Sequence, residues 1–251
     1  MLNYLPAFIN LNKEITMKHP LMRTVNIAVL LGLGTLFLTA CSTVQKAPIN
    51  QAETHCGLIG KYCDKLTPGG KGQMGLRYVR PDVNWSQYNK VIIAPVTYWG
   101  SEEAKIPQSD RQTLVNFFQQ SLKEHLGKKF QIVDEAGPGV MTLTVALTDA
   151  DSATPLLRSI SMIVPQARLL SSVKYLATGT FPFVGGAQVE AKLEDSASGQ
   201  VLAAIIDKRL GSGSITAGFQ WRWGDVQNAM DFWSESAANR LSDWTSGKEK
   251  P

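Results

Sequence analysis

The stretch VEAKLEDSASGQVLAAIIDKRL, residues 189–210, decides the fold of this 251-residue chain. From Val189 to Leu193, apolar residues alternate with charged ones, which is the period-two pattern of a strand with one buried face. The polar turn Asp195–Gln200 then leads into the mostly apolar run Val201–Leu210. These two segments predict an antiparallel β-hairpin.

Three further strands are expected upstream of the hairpin. Met141–Thr148 alternates large apolar residues with threonine and alanine, so it also predicts a half-buried strand. Val91–Val96 is apolar and largely β-branched, as are strands buried on both faces. Phe130–Val133 is a second short segment of this kind. Leu76–Asn89 mixes polar and aromatic residues and is expected to form an irregular strap.

Amphipathic patterns predict two helices. One follows Ser109, which is expected to cap it, and ends at Gly127. Its apolar stripe consists of Leu114, Val115, Phe118, Leu122 and Leu126. The other begins near Asp225 and runs to about Trp244. The resulting order, β-α-β-β-insert-β-β-α, predicts an α/β (α+β) fold. We expect a single-domain sandwich over residues 56–251, with a mixed or mainly antiparallel sheet and helices on one face.

The N-terminal region has the organisation of a signal peptide. Lys18 and Arg23 precede the uncharged stretch Thr24–Ala40, and exported proteins show this order of basic and apolar regions. An ordinary membrane anchor is the alternative, but the stretch is shorter than the roughly 20 residues of a spanning helix. We therefore expect residues 1–40 to be removed, with translation starting at Met17.

The segment LTAC, residues 38–41, resembles the lipobox of bacterial lipoproteins. The resemblance implies that the Cys41 thiol carries a diacylglyceryl group and that the new amino terminus carries an acyl group such as palmitate. Several acyl chains hold a protein stably on a membrane. Ser42, where some lipoproteins have Asp, implies the outer membrane and its periplasmic face. Residues 41–55 have few large apolar side chains and are expected to form a lipidated flexible tether.

Two further cysteines, Cys56 and Cys63, lie close together in a chain that is expected in an oxidising compartment. A disulfide is the favoured interpretation, and two free thiols are the alternative. A metal site with His55 and Asp64 is disfavoured, because the spacing matches no common zinc pattern. The prediction is a disulfide between Cys56 and Cys63 and no metal.

Composition and motifs restrict the function. Removing residues 1–40 takes away three bases and one acid and lowers the formal charge from +4 to +2, and so small a charge argues against a nucleic-acid surface. The sequence has no nucleophile elbow, no phosphate loop and no His-Glu-x-x-His zinc motif. We therefore expect no enzyme activity and no cofactor besides the lipid. An unrecognised active site is the alternative.

The insert at residues 155–185 is one candidate contact surface. It combines many aliphatic side chains with Arg158, Arg168 and Lys174 and contains no acid. Such a segment suits contact with a membrane surface or a protein partner. In the alternative interpretation it forms two short helices that cover the open face of the sheet.

A second candidate surface precedes the last helix. Trp221, Arg222 and Trp223 concentrate aromatic rings around a cation. This arrangement suits stacking and cation–π contacts with a sugar or a protein. In the alternative interpretation, Trp223 packs against the start of the helix.

Several segments together resemble Gram-negative lipoproteins that are known only as a domain of unknown function. They are CGLIGKYCDKL, LRYVRPDVNWSQYNKVIIAPV, GPGVMTLTVALTDA, GGAQVEAKLEDSASGQVLAAIIDKRLG and WGDVQNAMDFW. The resemblance runs from about Cys56 to the end of the chain and implies no catalytic residue. The hairpin is also similar to one in lipoprotein domains of curli secretion and cell-wall-synthase activation, which bind other envelope proteins.

These observations predict an outer-membrane-anchored periplasmic lipoprotein that acts as a non-catalytic binding or assembly module of the cell envelope. Its expected partners are the membrane, through the lipid anchor, and an envelope protein, with no nucleic acid. A carrier of a small ligand, either a lipid or a glycan, is the alternative, and a closed apolar cavity under the insert would favour it. The sequence makes no prediction of oligomeric state.

Overall fold

The hairpin predicted from residues 189–210 lies at the centre of one mixed sheet. The computed structural model describes residues 44–49, 54, 56–100, 106–151, 185–211 and 223–251. The strands of these residues are β1 (Gln45–Lys46), β2 (Thr67–Pro68), β3 (Leu76–Val79), β4 (Lys90–Ile93), β5 (Thr97–Tyr98), β6 (Gln131–Ile132), β7 (Val140–Asp151), β8 (Gly186–Asp195) and β9 (Val201–Leu210). The helices are α1 (Gln108–Gly127) and α2 (Gly224–Thr245), together with the short 3-10 helices Gly60–Lys65 and Trp85–Gln87.

The sheet mixes parallel and antiparallel pairs. Its order is β2-β3-β9-β8-β7-β4-β6, with β1 also paired to β9 and β5 to β7. β4 runs parallel to β6 and β7, and β5 runs parallel to β7, whereas the remaining pairs are antiparallel. The predicted α/β fold with a mixed sheet is confirmed. Strands β1, β2, β3 and β5 are additional to the predicted order.

The turn of the hairpin fixes the register of its strands. The Asp195 N–H donates to the Gln200 carbonyl at 2.9 Å. Gly199 takes a φ of 68°, which a residue without a Cβ adopts at little cost. With this turn, Leu193 pairs with Ala203. Because paired residues of antiparallel strands share a face, these two side chains lie next to each other on one side of the sheet.

Both helices pack on one face of the sheet, as predicted. The Ser121 hydroxyl joins α1 to α2 by donating to Asp231 Oδ1 at 2.6 Å. The buried residues of the shared core include Val91, Leu114, Phe118, Leu122, Leu143, Leu193, Val226, Met230 and Trp233. Removal of this apolar surface from water is the main stabilising contribution to the fold. In the described part of the chain, no helix is both long and apolar enough to cross a membrane.

Helix α1 begins one residue before the predicted cap. Gln108 is its first residue, Pro107 is the N-cap, and no side chain caps the helix. Ser109 lies in the first turn, where its carbonyl accepts a hydrogen bond from the Thr113 hydroxyl at 2.8 Å. The prediction that Ser109 caps the helix is therefore wrong, because the chain enters the helix at a proline whose ring already fixes φ.

The opposite face of β3 and β9 is covered by the segment that follows Cys56. Ile59 and Leu66 from this segment pack on Leu76 and Ile206 in a second buried cluster. The sheet therefore has apolar cover on both faces at this edge, with helices on one side and a short loop segment on the other.

The predicted irregular strap Leu76–Asn89 is wrong for its first four residues. Leu76–Val79 forms β3, which pairs with Ala203–Ile206 of β9. The strand has no clear alternation of apolar and polar residues, because its main support is the backbone pairing with a distant strand.

The predicted flexible tether 41–55 is wrong for its middle part. Gln45–Lys46 forms β1 and pairs with the end of β9. Ala47 is buried, and its N–H donates to the Lys208 carbonyl at 2.9 Å. Composition does not reveal this attachment, because the segment is held by backbone hydrogen bonds to β9 and by the isolated apolar side chains Val44 and Ile49, which form no regular pattern.

Candidate binding groove

Most residues of the predicted sites lie outside the described part of the chain. They are Cys41, Arg158, Arg168, Lys174, Trp221 and Arg222. Lipidation at Cys41 therefore stays a prediction. The same holds for the insert 155–185, both as a contact surface and as a cover of the sheet.

Trp223 is described, and the structure removes it from the candidate surface. Its side chain is only 2% exposed, and its indole N–H donates to Asp110 Oδ2 at 2.8 Å. The residue is also the N-cap of α2. A ring that is buried at the start of two helices cannot stack on a partner. For Trp223, the prediction of a partner surface is wrong and the alternative, packing at the helix start, is correct.

Cys56 and Cys63 form the predicted disulfide, with their Cα atoms 5.8 Å apart. The bond closes the segment that covers β3 and β9. Glu190 of β8 is 1% exposed and accepts a hydrogen bond from the Leu58 N–H of this segment at 2.9 Å. The disulfide therefore constrains a loop whose backbone partners a buried carboxylate. Within the described ranges, no group of three or more His, Cys, Asp or Glu residues could hold a metal ion.

A half-open apolar groove lies between α2 and the face of the sheet that the helices cover. Its volume is about 110 Å³. Strands β3, β7, β8 and β9 form its floor, and the second half of α2 forms one wall. Its lining residues include Arg77, Ala191, Ala203, Ala237, Arg240 and Trp244.

Small side chains leave this space open. Ala191 and Ala203 lie on neighbouring strands, and Ala237 lines the groove from α2. Each of these side chains ends at Cβ, so it cannot fill the gap between helix and sheet as leucine-sized residues do in a closely packed core. Ala191 and Ala203 remain 9% and 8% exposed, although they lie in central strands.

Two guanidinium groups make part of the groove positively charged. Arg77 and Arg240 both line it and are partly exposed. Arg240 donates to Glu249 Oε1 at 3.0 Å and to the Gly72 carbonyl at 3.2 Å. The Arg77 guanidinium donates no hydrogen bond to the described residues. Burial, and then the neighbouring Arg240 cation, lower the pKa of Arg77, whereas the Glu249 carboxylate raises it, so a further anion beside Arg77 would favour its charged form.

Trp244 lines the groove and carries a buried donor without a described partner. Its ring packs against Trp85, with the two ring centroids 4.8 Å apart. The buried indole N–H of Trp244 has no hydrogen-bond partner among the described residues. Leaving a buried donor unpaired costs about 1–3 kcal/mol.

Sequence reasoning missed the groove residues. The local signal that points to them is alanine in the middle of a strand, as at Ala203, because alanine has a low preference for strands. Such a signal indicates loose packing but does not say which other elements face the position.

Comparisons with known proteins identify the family of this chain. The described elements define an α/β domain with one mixed sheet. The family DUF3313, described as a protein of unknown function, matches residues 55–237. The chain belongs to this family. The resemblance to a lipoprotein family of unknown function is therefore confirmed.

A relative and two solved structures give the range of similarity. The uncharacterized lipoprotein YdcL of Escherichia coli K12 is 26% identical over 189 residues, which are 74% of this chain and 82% of the relative. Protein XCC0632 from Xanthomonas campestris is 12% identical with a TM-score of 0.38, covering 68% of this chain and 95% of its own. The PelC dodecamer from Paraburkholderia phytofirmans is 9% identical with a TM-score of 0.36, covering 64% and 95%. Structural similarities of this size carry no argument about function.

Proposed function

We propose that this protein is a lipid-anchored lipoprotein of the bacterial outer membrane that binds another envelope protein on the periplasmic face and has no catalytic role. The observation that supports binding most directly is the groove beside α2, which is apolar inside and carries two arginines. Concave, mostly apolar surfaces with a few polar groups are characteristic of binding sites. The family membership agrees with this proposal but supplies no activity.

The anchor is supported by the N-terminal sequence and by the relative. LTAC at residues 38–41 has the lipobox pattern, and YdcL is named a lipoprotein. Gln45 is already paired with β9, so few residues separate Cys41 from the sheet. An extended chain spans at most roughly 3.6 Å per residue, which limits the distance from Cys41 to Gln45 to about 14 Å. We expect the domain to work close to the lipid surface.

The size of the groove favours a protein partner over a carried small ligand. Pockets for small molecules usually enclose roughly 300–1,000 Å³. This groove measures about 110 Å³, so the groove by itself does not suit a carried lipid or glycan. The binding module is therefore the function that the following experiments test.

Substitutions at two neighbouring residues test the lipid anchor and the sorting to the outer membrane. Cys41→Ala removes the thiol that carries the lipid, so we expect loss of palmitate labelling and loss of the protein from the membrane fraction. Ser42→Asp keeps the thiol and is expected to move the protein from the outer to the inner membrane fraction. A Cys41→Ala protein that stays on the membrane would contradict the anchor. A Ser42→Asp protein that stays in the outer membrane would contradict the sorting assignment.

Photo-crosslinking in living cells tests the binding function. Ser236 lines the groove and is partly exposed, so a photoreactive amino acid at this position probes the groove. Lys123 is exposed on α1 and does not line the groove, so it is the control position. We expect an envelope protein to be crosslinked from position 236 and not from position 123, with a lower yield in Cys41→Ala. Absence of crosslinks at 236, or equal crosslinking at both positions, would contradict the function.

A further inference from the structure

The groove also indicates the chemistry of the segment that it binds. We propose that it receives one aliphatic side chain of about leucine size from the partner protein, and that a carboxylate of the same segment pairs with Arg77 and Arg240. This inference rests on the proposed binding function and adds the kind of partner segment to it.

The volume restricts the apolar occupant to a single side chain. A groove of about 110 Å³ is smaller than the roughly 150 Å³ cavity that holds one benzene molecule in another protein. A leucine side chain fits such a space, whereas most of a long acyl chain would remain outside it. Protein interfaces obtain much of their binding free energy from a few anchor residues of this kind in desolvated pockets.

The charges of the lining place an anion beside the anchor. The lining contains Arg77, Lys192 and Arg240 and no acidic residue. Lys192 pairs with Glu194 at 3.1 Å, and Arg240 pairs with Glu249 at 3.0 Å. Of the three cations, Arg77 is the one with no direct ion pair among the described residues, although the Glu249 carboxylate acts on it electrostatically. A carboxylate next to the anchor would supply that pair through a charge-assisted hydrogen bond, which is stronger than a neutral one.

The ring of Trp244 forms part of the groove wall, which a bound peptide segment would contact. Every peptide segment carries backbone carbonyl groups that accept hydrogen bonds. A segment whose side chain enters the groove brings such a carbonyl next to the helix wall that Trp244 belongs to. The apolar space and the arginines of its lining therefore match one short acidic and aliphatic peptide.

Three capped pentapeptides test this inference on the isotope-labelled protein by NMR. They are Gly-Glu-Leu-Glu-Gly, its lysine counterpart Gly-Lys-Leu-Lys-Gly, and Gly-Glu-Gly-Glu-Gly without the anchor. The reporter is the indole N–H resonance of Trp244, which is identified by its absence in Trp244→Phe. We expect the first peptide to shift this resonance with a Kd on the order of 1 mM, and the other two to bind at least about tenfold more weakly.

Matched variants separate the apolar part of the site from its charge. Ala237→Leu fills the groove from a partly exposed helix position and is expected to abolish peptide binding. Arg77→Gln removes the unpaired cation and is expected to weaken binding about tenfold. Lys123→Gln makes the same change of charge outside the groove and is expected to have no effect. The backbone resonances show whether each variant is folded, and Arg77→Gln tests the site even if Ala237→Leu is not.

Several results would overturn the inference. They include absence of binding by the acidic leucine peptide, equal binding by the lysine peptide, and unchanged binding in Arg77→Gln. Tighter binding of sodium octanoate than of the acidic peptide would make a fatty acid the occupant. Self-association that Ala237→Leu abolishes would make it a second copy of this chain. In cells, crosslinks from position 236 that persist in Ala237→Leu would overturn the inference while the binding function stands.

Discussion

Helix α2 contacts the sheet in two different ways at two of its tryptophans. At Trp233 the indole N–H donates to Asp207 Oδ2 at 2.7 Å, and the ring lies 5.9 Å from that of Phe118. At Trp244 the indole N–H has no partner among the described residues, and alanines leave a groove beside the ring. One helix thus combines a closed contact, in which polar groups are paired, with an open contact that still has space and an unpaired donor.

One buried carboxylate organises the closed contact. Asp207 is fully buried and accepts hydrogen bonds from Trp233, from the Gly75 N–H at 2.6 Å and from Arg209 Nε at 2.5 Å. The Arg209 guanidinium in turn lies over the Phe232 ring, 4.2 Å from its centroid. The same helix is therefore held by paired polar groups at Trp233, whereas at Trp244 it packs on Trp85 beside a groove.

The largest loss of stability is expected when the carboxylate of the closed contact is removed. Asp207→Ala leaves the buried Arg209 cation unpaired, and breaking a buried ion pair in this way costs about 3–5 kcal/mol. The control is Asp149→Ala, because Asp149 is 36% exposed and pairs with Lys208 at 3.2 Å. Exposed pairs of this kind contribute at most about 1 kcal/mol. Urea unfolding measures both losses, and equal losses would contradict the role of Asp207 in holding the closed end.

The next largest loss of stability is expected when one of two alanines of α2 is replaced by leucine. Ala229 is fully buried at the closed end, so Ala229→Leu overpacks the core and is expected to cost about 1–3 kcal/mol. Ala237 lines the groove, so Ala237→Leu enters existing space and is expected to change the free energy of unfolding by less than about 1 kcal/mol. If both variants lost the same stability in urea unfolding, the groove would not be open space.

A smaller effect distinguishes the two tryptophans themselves. Trp233→Phe and Trp244→Phe both remove the indole N–H and shrink the ring. Only the first removes a hydrogen bond, the one that Asp207 accepts from Trp233. We expect Trp233→Phe to lower the free energy of unfolding by about 1–2 kcal/mol more than Trp244→Phe. A larger loss for Trp244→Phe would reverse the comparison, because its N–H would then have a stabilising partner.

Sequence periodicity predicts the elements on which both contacts are built. The hairpin at residues 189–210 and both helices bury one regular face, so their patterns are visible within a few neighbouring residues. Strands β1 and β3 are too short to show such a pattern, and both pair with β9, far along the chain. The residues near β1 and β3 in sequence therefore do not indicate that these strands pair with β9.

The difference between the two contacts of α2 cannot be predicted from the sequence for another reason. The closed contact needs Asp207 and Trp233, and the groove needs Ala191, Ala203 and Ala237, so each combines side chains from several elements. A tryptophan on the apolar stripe of a helix gives the same pattern whether or not its N–H finds an acceptor. Only the register of β8 and β9 against the helix decides which residues meet.

A chain of contacts supports the open end of α2 and leads to the hairpin turn. Trp85 packs on Trp244 and lies 6.2 Å from the Tyr88 ring. The Tyr88 hydroxyl donates to Asp195 Oδ2 at 3.0 Å. The Ser198 hydroxyl and N–H donate to Asp195 Oδ1 at 2.6 and 2.8 Å. The hydroxyl of Ser198, followed by its N–H and the Tyr88 hydroxyl, holds the pKa of Asp195 below its ordinary value.

The smallest expected effect is the pH dependence of the stability that Asp195 contributes. Because the pKa of Asp195 is lower in the folded protein than in the unfolded chain, its stabilising effect is complete above the unfolded value of about 3.9 and is lost as the pH falls through the folded value. We expect a loss below about 1 kcal/mol, since Asp195 is partly exposed. Asp195→Asn keeps an acceptor oxygen but does not titrate, so the stability difference between wild type and variant should shrink during acidification. A difference that stays constant from about pH 5 to pH 2 would show that the Asp195 charge does not support the open end.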